Sequence, residues 1–232
     1  MTTIGQNLKH VRERIATACL EAHRNVEEVT LLAVSKTFGP EAVRAAYAAG
    51  QRAFGENYVQ EGVDKVAALA DLPDTEWHCI GPLQSNKTRP VAEHFDWVHT
   101  IDRLKIAERL SAQRPAGLTP LNVCIQVNVD DGANKSGVAP QEALALARAV
   151  AGLPRLRLRG LMTIPEPAPD FEAACALHAR ARAIFDQLNA AGLGLDTLSA
   201  GMSADLEAAI TAGSTMVRVG SAIFGQRERV AA

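Results

Sequence analysis

An α/β fold closed into a (β/α)8 TIM barrel is predicted by three features of this 232-residue sequence. Eight short apolar runs alternate in order with segments of helical periodicity, the pattern of a parallel sheet with crossover helices. The run Leu121 to Val129 alternates strictly: Leu121, Val123, Ile125, Val127 and Val129 face one way, Asn122, Cys124, Gln126 and Asn128 the other. One face therefore packs on helices while the other lines a lumen. No GxGxxG follows the first strand, which counts against an open dinucleotide-binding sheet.

An extra N-terminal helix opens the chain, with Ile4, Leu8, Val11, Ile15 and Cys19 at helical spacing. The first strand runs from Leu31 to Lys36, and Gly39-Pro40 ends it and starts a helix that stops at Gly50. The second strand, Arg52 to Gly55, leads into Glu56-Asn57-Tyr58 and a helix over Val59 to Leu69. Glu76 to Gly81 is the third strand, and a polar segment, Gln84 to Lys87, precedes a helix reaching His94. Trp97 to Ile101 is the fourth, with Asp102 expected to cap the helix carrying Leu104, Ala107 and Leu110. After the fifth strand come a helix from Pro140 to Ala151 and a sixth strand from Leu156 to Ile164. The proline-rich loop 165–169 is followed by a long helix that ends at Gly192. Thr197 to Ala200, a helix from Ala204 to Ala212, Thr215 to Val219 and a short helix near Ala222 complete the alternation. The pattern is unbroken, so residues 1–232 are expected to form a single domain.

With 47% hydrophobic and 22% charged residues the chain has ample core, and a net charge of −2 gives no electrostatic case for nucleic acid or an anionic membrane. Cys19, Cys79, Cys124 and Cys175 are widely spaced and read as reduced thiols. His94 and His99 straddle a helix-to-strand junction and make no metal pair. The N-terminus is polar and amphipathic rather than a signal peptide, and no run spans a membrane, so the expected location is cytoplasmic.

In such a barrel functional groups collect at the carboxyl ends of the strands. Those ends carry Lys36, Asn57, Gly81 with Gln84 and Asn86, Asn128, Met162, Gly201-Met202-Ser203 and Arg218-Val219-Gly220-Ser221. Lys36 shares a face with Leu32 and Val34, where an ammonium is costly to keep charged. That is the environment of a Schiff-base lysine, against the rival reading of a solvated lysine at a strand end. Ser203 falls where a helix begins, and Gly220-Ser221 opens another. Free N–H groups, hydroxyls and glycine together suit a phosphate, and phosphate sites after strands 7 and 8 recur in these barrels. Plain helix N-caps are the alternative for both serines. Arg218 should face the lumen with Met216 and needs a partner, either Glu56 or an acceptor on a ligand. A lysine, an arginine and a phosphate cradle together point to a phosphorylated aldehyde held as an imine.

Several longer stretches carry a resemblance: Ala33-Val34-Ser35-Lys36, Phe54-Gly55-Glu56-Asn57-Tyr58, the ten residues from His78 to Lys87, and Gln126-Val127-Asn128. They continue in Lys135-Ser136-Gly137, Arg159 to Pro165, Leu198 to Asp205 and Val217 to Gly225. Through them the chain resembles the pyridoxal phosphate homeostasis protein family, single-domain relatives of the alanine racemase N-terminal barrel. The resemblance implies that Lys36 forms a Schiff base with pyridoxal 5'-phosphate (PLP). It also implies that Ser203, Gly220 and Ser221 hold the phosphate, that Arg218 faces the pyridine nitrogen and that Asn57 lies beside the ring. Ala200, Gly132 and Cys79 depart from the family's usual Met, acidic residue and Phe, and none removes one of these contacts.

The implied role is intracellular homeostasis of vitamin B6: a carrier of the reactive aldehyde, with transfer to apo-enzymes a further step open to it, and with no catalytic residue. An arginine at the pyridine nitrogen keeps its own proton, leaves that nitrogen unprotonated and weakens the ring as an electron sink. Racemases of the related fold use a tyrosine from a separate C-terminal domain, whereas this chain ends at Ala232 just after the barrel, and Tyr47 and Tyr58 are its only tyrosines. A weak PLP-dependent amino-acid racemase is the first rival, and an aldolase-like barrel using Lys36 on a sugar phosphate the second. A monomer is expected.

Overall fold

A computed structural model describes residues 3–130 and 136–225. Eight parallel strands close into one barrel in chain order. They are β1 (Thr30–Val34), β2 (Ala53–Glu56), β3 (Glu76–Cys79), β4 (Trp97–Ile101), β5 (Leu121–Gln126), β6 (Leu156–Met162), β7 (Thr197–Met202) and β8 (Met216–Val219). β8 pairs back onto β1, with Leu32 opposite Arg218 and Ala33 opposite Val219. Helix α1 (Ile4–Glu21) precedes the barrel. Around it run α2 (Pro40–Ala48), α3 (Val59–Ala68), α4 (Thr88–His94), α5 (Leu104–Gln113), α6 (Ala143–Ala151), α7 (Phe171–Ala190), α8 (Leu206–Thr211) and α9 (Ser221–Phe224). Among the described residues no helix is long and apolar enough to cross a membrane.

Local chemistry explains the helix starts. Thr3 and Gln6 form a capping box before α1, and Asp170 accepts from Ala173 N–H to open α7. Pro40 occupies the first turn of α2, where its missing N–H costs nothing. Asp102 does not cap α5; the N-cap is Arg103, and Asp102 accepts a hydrogen bond from that residue's guanidinium instead.

The alternation read in the fifth strand recurs in β1, β2 and β7, while irregular pairing in β4 and β6 puts Val98 and Ile101, and Leu158 and Leu161, on the same outer side. Ala33, Phe54, Val98, Val123 and Ile125 join the large core under the helices. Inside the ring lie two smaller clusters, one of Leu32, Val34, Ala53, Ile80 and Met216, the other of Trp97, Cys124 and Met162. Buried His78, His99, Ser199 and Arg218 complete the interior, so it is packed rather than hollow. Of the family departures, Ala200 and Cys79 are buried in the outer core, and burial pushes the Cys79 thiol up to about 12. Gly132 and Lys135 lie outside the described residues.

Several strands stop earlier than their apolar runs. β1 ends at Val34, two residues before Lys36, because the chain turns there: Phe38 N–H donates to Ser35 C=O and Thr37 takes φ 70°. β5 ends at Gln126, and Val127 continues only as a bridge to Val138. Glycine permits one close approach that positions the loop after β2. A Cβ on Gly81 would sit 2.0 Å from Asn57 O.

Candidate cofactor site

The six residues to which the resemblance gives cofactor contacts line one cavity of about 700 Å³ at the carboxyl end of the barrel: Lys36, Asn57, Ser203, Arg218, Gly220 and Ser221. Of the other strand-end residues Met202 joins them, whereas Gly81, Gln84, Asn86, Asn128 and Met162 are not in its lining. A hollow of about 480 Å³ lies at the opposite mouth, between Arg12, Gln51, Arg52 and Glu76. Its arginines are already engaged, Arg12 with Ala49 C=O and Arg52 over the Tyr47 ring.

Lys36 is half-buried in the turn after β1, not set within the strand as its apolar neighbours implied. Its backbone is gripped on both flanks. On one side Lys65 Nζ donates to Ser35 C=O at 2.7 Å; on the other Thr37 N–H donates to Glu61 Oε1 at 2.5 Å. A β-branched residue at positive φ is unfavourable, so that bond holds the turn against local strain. Lys65 is 4% exposed and gives its remaining hydrogens to Glu56 Oε1 at 2.8 Å and Glu61 Oε1 at 2.7 Å. Three acceptors thus hold its amine outside the cavity lining.

The sequence left Glu56 open as a partner for Arg218, and the structure excludes it. Ala53 and Gly55 face the lumen, so Phe54 and Glu56 face the helices, where Glu56 meets Lys65 and accepts from Ser35 Oγ at 2.5 Å. Burial pushes the Glu56 carboxyl above the ordinary range, and Lys65 and Ser35 oppose that. Arg218 instead donates to Ser199 Oγ at 2.9 Å and to Thr163 C=O at 2.8 Å. Burial lowers it to about 10, which leaves it charged at neutral pH.

The helix-cap readings of the two serines fall away. Asp205 is the N-cap of α8, and Gly220 stands at the N-cap position of α9, so neither hydroxyl serves as a cap. Asn57 Oδ1, in the cavity lining, is buried without a hydrogen-bond partner. Buried polar atoms of this kind normally have one, so a bound group with polar edges fits here. Lys65, His78, His99 and Ser199 support the site and are not singled out by the strand-end pattern. The inward alternation of β3 and β4 was the available signal for the two histidines.

The family model "Alanine racemase, N-terminal domain" matches residues 6–228. The pyridoxal phosphate homeostasis protein of Pseudomonas aeruginosa is 61% identical over 228 residues, covering 98% of this chain and 97% of that one. The chain belongs to the pyridoxal phosphate homeostasis protein family. Among solved structures of similar fold is PipY of Synechococcus elongatus. It superposes with a TM-score of 0.84 at 39% identity without PLP, over 96% of this chain and all of that one. With PLP bound it superposes at 0.79 and 40%, over 91% of this chain and all of that one. The alanine racemase of Corynebacterium glutamicum shares the fold at TM-score 0.66 and 22% identity, and this chain spans 62% of it.

Proposed function

We propose that this protein holds PLP on Lys36 and serves vitamin B6 homeostasis in the cytoplasm, giving the cofactor up to apo-enzymes. Convergence of the six residues on one cavity carries the reading; the PLP-bound PipY structure and the homeostasis relatives support it. When bound, PLP supplies an aldehyde that condenses with a primary amine and releases water.

Lys36 presents the amine from a turn whose two flanking backbone groups are pinned. Ser203 and Ser221 offer hydroxyls and Gly220 an approachable backbone, a neutral cradle for a phosphate. Arg218 keeps its proton, so the atom it faces must accept one. That favours an unprotonated pyridine nitrogen and a poor electron sink, suited to storage rather than turnover. Among the described residues lining the cavity, Lys36 and Arg218 are the only ionisable side chains, and Arg218 stays charged. Racemisation from two faces needs a second proton-exchanging group besides Lys36, so the carrier reading is preferred to a weak racemase.

Mixing the purified protein with PLP should give a visible absorption band. Borohydride should bleach that band and fix a label that peptide mapping finds on Lys36. A label on any of the other five lysines, or no band, overturns the reading.

A further inference from the structure

Beneath Arg218 the lumen holds a row of side chains from four strands. Arg218 Nη1 (β8) donates to Ser199 Oγ (β7) at 2.9 Å. Ser199 Oγ lies 2.9 Å from His99 Nδ1 (β4), and His99 Nε2 lies 2.9 Å from His78 Nδ1 (β3). His78 Nε2 ends the row without a hydrogen-bond partner, 3.7 Å from Glu76 Oε2 toward the opposite mouth. Ser199, His99 and His78 have no exposed surface.

We infer that this row is a single-file hydrogen-bond chain, with every proton pointing away from Arg218, and that Ser199, His99 and His78 are positioning residues for its guanidinium. The inference rests on the cofactor reading for what Arg218 faces, but the proton order follows from the protein alone. A guanidinium only donates, so Ser199 Oγ accepts there and has its own hydrogen left to give. Among the described residues, the acceptor in range is His99 Nδ1, which must be bare. His99 then carries its hydrogen on Nε2 and donates to a bare His78 Nδ1, leaving His78 Nε2–H aimed at the Glu76 carboxylate. The reverse order strands the serine hydrogen and turns a lone pair toward that carboxylate. A neutral state for both rings agrees with their burial, which lowers both, and with the Arg218 charge near His99.

This arrangement has a consequence for the charge at the site. A buried guanidinium is ordinarily matched by a carboxylate. Here its hydrogen bonds go to a hydroxyl and a carbonyl, both neutral, and the Asp205 carboxylate acts on it only through space, so among the described residues no carboxylate is hydrogen-bonded to it.

The test begins with apo protein carrying 15N-labelled histidine. Long-range 1H–15N correlations at neutral pH should show both His78 and His99 as the Nε2–H tautomer. An Nδ1–H pattern in either ring, or a charged ring, overturns the chain. In Ser199→Ala, His99 should lose its single tautomer, and PLP affinity should fall roughly tenfold with a displaced absorption maximum, as for one lost hydrogen bond to a charged group. Ser199→Thr should restore all three. Unchanged affinity and absorption in Ser199→Ala, with its melting temperature retained, would show that the row does not act on Arg218. The apo spectra decide the chain if that variant fails to fold. Failure of the borohydride label at Lys36 would sink the cofactor reading while leaving the tautomer result standing.

Discussion

Lys36 and Lys65 sit on opposite sides of the same turn, and their surroundings give them different chemistry. Lys65 is locked among Ser35 C=O, Glu56 and Glu61, while Lys36 reaches the cavity. Removing Lys65 leaves Glu56 buried beside Ser35 with no counter-charge. Lys65→Met should therefore lower unfolding stability by about 3–5 kcal/mol in urea titration, as for a broken buried ion pair. Lys36→Ala, which leaves that cluster intact, should shift the same curve far less; equal losses would refute the division of labour. Residues at the cavity were legible because lysine, glycine and serine stand out where apolar strands end. Lys65 was not, since its burial depends on acceptors from β1, β2 and its own helix meeting in space. Glu56, open in the sequence as one of two partners for Arg218, is excluded by the strand's alternation, which turns it with Phe54 toward the helices.

At the scale of elements, α1 does more than cover the barrel. Arg14 grips Glu207 with two hydrogen bonds, at 2.7 and 2.9 Å, and donates to Ser203 C=O at 3.0 Å; Asn7 donates to Ile223 C=O at 2.8 Å. Both loops of the proposed phosphate cradle are thus tied to the N-terminal helix. Arg14→Ala should speed PLP release several-fold while costing about 1 kcal/mol or less in stability, since the ion pair is partly exposed. An unchanged dissociation rate in stopped-flow absorbance would disconnect the helix from the cradle. Packing of β6 on β7 gives a second prediction. A Cβ on Gly160 would lie 1.6 Å from Thr197 O, so Gly160→Ala must displace a strand and should abolish the cooperative thermal transition or lower it steeply. Strand order and helix faces were readable from periodicity, but strand ends were not. Ladder pairing with neighbours decides where β1 and β5 stop, and a single run of residues carries no record of those neighbours.

For the molecule as a whole, the buried histidines set a pH dependence. Burial holds both below the ordinary value of 6.5, so the unfolded chain takes up protons that the folded one refuses. Their contribution is complete above about pH 6.5 and is lost as pH falls, by up to about 1.4 kcal/mol per pH unit for each ring. Glu56 and Asp96 act in the opposite sense, because burial raises them and protonation at low pH relieves it. Urea midpoints at pH 7 and pH 5 should thus fall more steeply for the natural chain than for His78→Gln/His99→Gln, and equal slopes would place the acid sensitivity elsewhere.

Closure of the ring by β8 against β1 also orders events in time. The proposed amine arrives early in the chain at Lys36, whereas Arg218 and Gly220-Ser221 come near its far end. A nascent polypeptide still lacking its last strand has the nucleophile and Ser203 but neither the rest of the anion cradle nor the arginine. Retention of the vitamer then has to wait for completed synthesis, and prematurely terminated products would draw nothing from the cell's free pool.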